Sequence, residues 1–314
     1  MRKYLILLSV AIVAGGAGAA FAAPKTEPKA CDPRDTVTAN CHAIWDGVGL
    51  PTGPTAGKTA ICHDRYVTSN DSASKTPDWV VEILTKDKLT KAFDRPSENF
   101  SVDPCVPAGG SPDPGDYAGT ADKFAIGHMA PSEDFNNSDA NMRDTFYFSN
   151  AVPQIGTTFN GSAWKTLETA VRAAAVARKT IYVITGPIRG DAQQRTIEIA
   201  KADNACGGAI ELDAVKTAIV CKAVNTKKAT TCSTGTAVPV ALYKIVYDPK
   251  AGAAYAFVLP NRPHHPKGQG RNYLEQWRVN VGVVEKLTGL KFFAAVPAAK
   301  RAALVGRCQP GTLW

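Results

Sequence analysis

Val240-Ala-Leu-Tyr-Lys-Ile-Val-Tyr247, Asp248-Pro-Lys-Ala-Gly252 and Ala253-Ala-Tyr-Ala-Phe-Val-Leu259 run consecutively. The outer segments are rich in β-branched and aromatic residues, and the middle one carries Asp, Pro and Gly. That pattern predicts a hairpin, two antiparallel strands joined by a short turn. Working outward, Thr180-Ile-Tyr-Val-Ile-Thr185 reads as another buried strand, ended by Gly186-Pro187. Cys62–Val67 and Trp79–Leu84 read as two more, joined by the polar, turn-rich Ser69–Pro77. Asp122–His128 is expected to be a strand leading into a turn, and Phe146–Asn150 a short aromatic strand or turn. Ser162–Lys179 is the clearest helix, because Trp164, Leu167, Val171 and Ala174 recur at helical spacing in an alanine-rich run. Tyr273–Leu287 also reads as a helix that Gly289 could close. Strands and helices mix without strict βαβ alternation. The expected class is therefore α+β, a central, largely antiparallel sheet flanked by helices.

The chain of 314 residues begins Met1-Arg2-Lys3, continues through the nearly all-apolar Tyr4–Val13 and reaches Ala20-Phe21-Ala22. A positive start, an apolar stretch and a small-residue site predict a signal peptide over residues 1–22, and hence export to the periplasm or the cell exterior. The apolar run is short for a membrane span and thinned by Gly15, Gly16 and Gly18, and no later segment is long enough to cross a bilayer. Stable membrane association is not expected. Residues 23–58, rich in Pro, Gly, Thr and Ala, read as an irregular lead-in, 59–305 as one domain and 306–314 as a tail. Eight cysteines follow the amino-terminal segment, and an even count favours disulfides. Cys31 with Cys41, and two bridges among Cys206, Cys221, Cys232 and Cys308, are the expected pairings, although spacing does not fix them. No CxxC pair occurs, which argues against a zinc ribbon or a thioredoxin motif. The net charge of +8 suits a polyanionic partner, and suits a merely soluble protein equally well.

Chemistry concentrates in Gly127-His128-Met-Ala-Pro131. One of only five histidines stands there between a glycine and a step into proline, a candidate general base or metal ligand. The bland alternative is a partly buried turn histidine. Asn160, Trp164, Glu168 and Arg172 follow at steps of four, which aligns an amide, a carboxylate and a guanidinium on one helix stripe. Alone, Glu168 and Arg172 are equally an i,i+4 surface pair, and Asn160 an ordinary helix-start residue. Arg262, His264, His265, Lys267, Arg271 and Arg278 form a basic stretch that reads as a solvated loop, with a nucleic-acid track as the alternative.

These residues fall into an ordered set. It runs through Lys75-Thr-Pro-Asp-Trp79-Val, Phe100-Ser-Val-Asp103-Pro, Asp116-Tyr-Ala-Gly119 and Gly127-His-Met-Ala-Pro131. Ser149-Asn150-Ala-Val-Pro-Gln154, Asn160-Gly-Ser-Ala-Trp164-Lys-Thr-Leu-Glu168 and Ile184-Thr-Gly186-Pro follow. Val238-Pro-Val-Ala-Leu-Tyr-Lys244, Ala256-Phe-Val-Leu-Pro-Asn261 and Glu285-Lys-Leu-Thr-Gly-Leu-Lys-Phe-Phe293 complete it. Over residues 60–305 the chain resembles the DNA/RNA non-specific endonucleases, the group of secreted bacterial sugar-non-specific nucleases and mitochondrial endonuclease G.

The resemblance implies a nuclease domain over 59–305 with a ββα metal-finger active site. It implies His128 as general base, Asn160 as the one protein ligand of a metal, and Glu168 holding that ion through water. It implies Arg172 as a phosphate-side arginine, Arg95 as a second one (its spacing to Asp103 departs from the usual), and Asn150 as a supporting amide. Mg2+ is the implied cofactor, with Mn2+ or another divalent ion as a substitute, and DNA and RNA are the implied substrates. The chemistry is coherent. A neutral imidazole with a pKa near 6.5 can take a proton from water. Magnesium keeps most of its waters, needs few protein ligands, and acts as a Lewis acid on the phosphate and the leaving 3′ oxygen. Arginine gives permanent, bidentate contact to phosphate.

The chain departs from the family immediately before Gly127. Where Asp-Arg is usual, Ala125-Ile126 stands here, and isoleucine cannot contact a phosphate. Loss of one such stabiliser can lower a rate on the order of a hundredfold. Lys123, three residues before Ile126, is expected on the other side of the strand and is a poor substitute. A further family asparagine is Phe146 here. The expected function is an exported, metal-dependent endonuclease for DNA and RNA with little sequence preference and no assigned oligomeric state. A non-catalytic nucleic-acid-binding or structural module and a small-nucleotide phosphodiesterase are the alternatives.

Overall fold

The computed structural model describes residues 31, 41–97, 100–113, 115–117, 124–190, 197–212, 219–220, 235–264 and 270–314. The segment expected to be a signal peptide lies outside them. In chain order the strands are Lys58–His63 (β1), Tyr66–Asp71 (β2), Thr76–Thr85 (β3), Phe124–His128 (β4), Ala151–Ile155 (β5), Thr180–Ile188 (β6), Ile197–Ile199 (β7), Ile210–Leu212 (β8), Ile219–Val220 (β9), Thr236–Ala237 (β10), Ala241–Asp248 (β11), Ala253–Pro260 (β12) and Arg278–Val279 (β13). The helices are His42–Trp45 (α1), Asp139–Asp144 (α2), Lys165–Arg178 (α3), Asn272–Glu275 (α4), Val281–Thr288 (α5) and Ala298–Gly306 (α6).

Seven strands form one sheet in the order β1-β2-β3-β6-β11-β12-β13, and every neighbouring pair is antiparallel. The expected hairpin is present as β11–β12, in register from Ala241↔Pro260 to Asp248↔Ala253. Asp248 shapes its turn by accepting the N–H groups of Lys250 and Ala251 at 2.9 and 3.0 Å. Both faces of the sheet are covered, which is why its strands read as continuous apolar runs. Val81, Ile184 and Ile245 point into a core shared with α5 and α6. Their neighbours Val80, Val183 and Val246 point into a second core shared with α3. The α3 face carries the candidate site.

Two expected elements differ. The strand expected over Cys62–Val67 is a hairpin turn between β1 and β2, with Asp64 at φ +24°. Cys62, Tyr66 and Val67 stay buried on either side of it, so hydropathy hides the turn. The helix expected over Tyr273–Leu287 is broken into α4, β13 and α5. Arg278 and Val279 pair with Phe257 and Ala256 along the edge of β12. The Asn280 side chain accepts the Ala205 N–H at 3.0 Å and donates to the Val305 carbonyl at 3.2 Å. Edge pairing outweighs local helical periodicity at that point. Gly289, at φ +71°, closes α5 as expected.

Among the described residues the disulfides are Cys31–Cys105, Cys41–Cys62 and Cys206–Cys308, with Cα–Cα distances of 4.7, 6.2 and 5.0 Å. The expected Cys31–Cys41 bridge is therefore incorrect. Cys41, just before α1, lies against β1 and meets Cys62 there, whereas Cys31 meets the loop after Asp103. Spatial approach, not sequence nearness, sets the pairing. Cys221 and Cys232 lie outside the described residues. No helix among the described residues is long and apolar enough to cross a membrane.

Candidate active site

β4 and β5 pair with His128 opposite Ala151, and α3 follows them, so the two strands and the helix make a ββα unit. Gly127 is fixed by close approach: a Cβ there would collide with the Gln154 side chain, which crosses the strand. Asn150 holds the turn that follows His128. Its Oδ1 accepts the Ala130 N–H, and its Nδ2 donates to the carbonyls of Ala130 and Thr145, each at 2.9 Å. The Met129 N–H donates to the Asn150 carbonyl at 2.9 Å. Asn150 is thus a strut of the turn and does not stand on the cavity wall.

A second buried network supports that strut. His63 Nε2 lies 2.9 Å from Asp103 Oδ2, the Ser149 hydroxyl donates to the same carboxylate, and the Cys105 N–H donates to Oδ1 at 2.9 Å. Burial alone would raise the Asp103 pKa, but His63, Ser149 and Cys105 together hold it below the usual carboxylate range. The stabilisation from a depressed carboxyl is present above its unfolded pKa of about 3.9 and is lost as pH falls through the folded value. Urea unfolding should show wild type more stable than Asp103→Asn at pH 6, with the gap closing below about pH 4. A gap independent of pH would remove the ionised carboxylate from the account.

A cavity of about 230 Å³ opens between this turn and the start of α3. Arg95, Ile126, His128, Glu133, Asn160, Lys165 and Glu168 are on its wall. The His128 ring is walled by Phe100 at 4.6 Å and, edge-on, by Phe146 at 4.8 Å. Its Nε2 has no hydrogen-bond partner among the described residues. Burial first, and the Arg95 charge second, push its pKa down to about 3, so the ring is a neutral imidazole. Asn160 belongs to a π-helical segment, Gly156–Trp164, that precedes α3. The helix expected from Ser162 therefore begins as a wider turn, which leaves Asn160 half-exposed at the cavity while Trp164 is fully buried. Glu168 is on the first turn of α3. Burial pushes its carboxyl up to about 7, opposed by the charges of Lys244 and Arg172.

Arg172, one turn further, is engaged elsewhere. Its Nη1 pairs with Asp134 Oδ1 at 2.9 Å, its Nη2 donates to the Thr169 hydroxyl at 3.3 Å, and it is not on the cavity wall. The structure therefore joins His128, Asn160, Glu168 and Arg95 at one cavity and sets Asn150 and Arg172 behind it. Lys123 lies outside the described residues. In the basic stretch, His264 is structural, 2.8 Å from both the Tyr273 hydroxyl and the Pro260 carbonyl. Arg278 donates to the carbonyls of Gln309 and Gly311 at 2.8 and 2.6 Å, so it is not part of a free track. His265 and Lys267 lie outside the described residues.

Sequence reading missed Glu133 and Lys165 on the wall, and Lys244 and Glu82 beneath it. Lys244 Nζ donates to the Thr185 hydroxyl at 2.6 Å and the Met129 carbonyl at 3.4 Å, and lies 5.1 Å from the Trp164 ring. Burial lowers its pKa, and the carboxyls of Glu82, Glu168 and Asp134 oppose that. Burial raises Glu82 well above the usual range, and its Oε2 has no partner among the described residues. A charge flanked by apolar residues in each of two strands, Val-Val-Glu82-Ile and Leu-Tyr-Lys244-Ile, was the available signal. The oxygen donors Asn160, Glu168 and Glu133 fit a hard divalent cation that keeps most of its waters. No group of three or more His, Cys, Asp or Glu among the described residues could hold an ion by itself.

The family profile described as DNA/RNA non-specific endonuclease matches residues 49–299. The chain is 30% identical over 251 residues to "Nuclease EXOG, mitochondrial" of Xenopus laevis, across 76% of this chain and 60% of that protein. It is 29% identical over 245 residues to "Nuclease C1" of Cunninghamella echinulata var. echinulata, across 76% and 84%. Its fold superposes on EndoG from a solved EndoG/EndoGI inhibitor complex with a TM-score of 0.64 at 25% identity, across 84% of this chain and 95% of that one. Human, zebrafish and mouse relatives are also named mitochondrial nucleases. These relatives overturn the expected periplasmic or extracellular location, since they are mitochondrial. A basic, acid-poor start is common to export signals and organelle-targeting segments, so those residues alone do not specify export.

Proposed function

The chain belongs to the DNA/RNA non-specific endonuclease family, and on that premise we propose that it hydrolyses phosphodiester bonds of DNA and RNA, with a divalent metal and little sequence preference. The observation that carries this is a neutral His128 ring on the wall of the same cavity as Asn160 and Glu168. His128 takes a proton from the attacking water. Asn160 would hold Mg2+, Mn2+ or another divalent ion, with Glu168 holding it through water, and the ion would supply Lewis-acid stabilisation of the phosphate and the leaving oxygen. A carboxyl as high as Glu168 is readily drawn into its ionised form by a positive charge placed beside it. Arg95, exposed at the mouth, gives the phosphate a bidentate cation. Asn150 and the Arg172–Asp134 pair act through the backbone that carries His128 and Glu133, as positioning residues. Contacts limited to phosphate and sugar carry little sequence information.

Purified protein with Mg2+ should cleave supercoiled plasmid, single-stranded DNA and RNA. EDTA should stop the reaction, and excess Mg2+ should restore it. All three substrates remaining intact in both Mg2+ and Mn2+ would overturn the proposal. Cleavage of a dinucleotide ester alone would favour a small-nucleotide phosphodiesterase instead.

A further inference from the structure

We infer that the Phe146 ring is the seat that holds the Arg95 guanidinium at the mouth of the His128 cavity, so that a phosphate-facing cation is present there although Ile126 supplies none. This rests on the nuclease reading above. Arg95 Cζ lies 5.1 Å from the centroid of the Phe146 ring, within cation–π range. Arg95 and Ile126 are on the wall of the same cavity. The neighbouring carboxylate, Asp94, is taken by Lys91 at 2.5 Å. The loop is pinned earlier, where Ala92 and Phe93 both donate to the Asn136 carbonyl, but those bonds leave the Arg95 side chain unguided.

The seat itself is buried and packed on two sides. Phe146 is 4% exposed, edge-on to His128 and 5.3 Å from Phe100. Its N–H donates to the Arg143 carbonyl at 2.9 Å, and its carbonyl accepts from Ser101 at 3.0 Å. An asparagine at this position would have no aromatic face to offer a guanidinium. Two of the departures from the family pattern, at 126 and 146, therefore act together. One removes a cation from the wall, and the other fixes a cation arriving from a different loop. Phe146 is a positioning residue in this account, since it touches Arg95 and not the substrate.

The test compares wild type with Arg95→Ala, Phe146→Leu, Phe146→Met, Phe146→Tyr and the double variant Arg95→Ala/Phe146→Leu. One readout is kcat and KM on single-stranded DNA with Mg2+. The other, in EDTA, is affinity for a fluorescent single-stranded oligonucleotide against salt concentration, where one lost phosphate contact lowers the slope by about 0.7. Phe146→Leu and Phe146→Met should lower kcat by about 2- to 30-fold, the range of a cation–π contact, and reduce the salt slope as Arg95→Ala does. Phe146→Tyr keeps the ring and should stay near wild type. In the Arg95→Ala background Phe146→Leu should add nothing. Wild-type behaviour of Phe146→Leu, or an equal loss with and without Arg95, overturns the inference; the second result is what a merely structural role would give. A wild type that binds but never cleaves overturns the nuclease reading alone, and the binding arm still decides this one.

Discussion

His128→Ala should lower kcat by about 10²- to 10⁴-fold, the usual contribution of a positioned general base, while oligonucleotide binding in EDTA stays within about twofold of wild type, since no phosphate-binding cation is removed. Three features of the ring lead to this. It faces the cavity shared by Asn160 and Glu168, its Nε2 lacks a protein partner among the described residues, and it is held neutral by burial and then by Arg95. A pKa of about 3 keeps the base unprotonated throughout the working range, but it also makes a weak base. The Arg95 part of the shift is what a bound phosphate would offset, so basicity rises when substrate arrives. The pH dependence has a definite sign. Between about 3 and 6.5 the folded ring is neutral while the unfolded ring binds a proton, so the unfolded state holds more protons and stability rises with pH. His128→Ala should lose that part of the acid sensitivity in urea unfolding compared at pH 4 and pH 7. Its rate profile decides the catalytic role: a variant retaining more than about a tenth of wild-type kcat, where loss of a positioned base predicts far less, would remove His128 from it.

The antiparallel hairpin was legible because its turn chemistry and its strands lie within one short window. Val240–Leu259 carries all the information needed to fold back on itself. The break at Arg278–Val279 was not, because its cause is remote. The edge of β12 takes those two residues as partners, and Asn280 answers to Ala205 and Val305. Periodicity reports the face a residue prefers, not a competing partner across the chain. The turn at Asp64 was hidden for a similar reason, since buried residues flank it on both sides.

The site divides in the same way. His128, Asn160 and Glu168 were found through the ordered motifs, and they do line one cavity. Arg172 is on the expected helix stripe, but a stripe gives direction and not partner. Asp134, brought alongside by the turn after Pro131, takes its guanidinium. Arg95 could be named from sequence only as a candidate, and its place beside Phe146 depends on a loop whose course no local pattern encodes. The loss of a cation at Ile126 was plain in the sequence; the ring supporting a different cation was visible only in three dimensions.

Lys244→Met should destabilise the protein by about 3–5 kcal/mol at neutral pH, as expected when one member of a buried charged cluster is removed. That is a large share of a typical total of about 5–15 kcal/mol. Lys244 is 1% exposed on the α3 face of β11, opposite Thr185 in register, with Glu82 on β3 pointing to the same core face. Its charge lowers the pKa values of Glu82, Asp134 and Glu168, all of which burial raises. Without it those carboxyls rise further. A carboxyl that keeps its proton in the folded state above the unfolded pKa of about 4.3 makes stability fall as pH increases. The deficit of Lys244→Met should therefore be small near pH 5 and full near pH 8, as measured by urea unfolding. Adding Glu82→Gln should recover part of it at pH 8 and little at pH 5. Equal deficits at both pH values would mean that the lysine matters for packing and not for charge. The variant also loses the bond from Nζ to the Met129 carbonyl, immediately after His128. Its residual folded fraction should hydrolyse DNA more slowly than wild type even at pH 5, because the turn carrying the base loses one of its ties to the sheet.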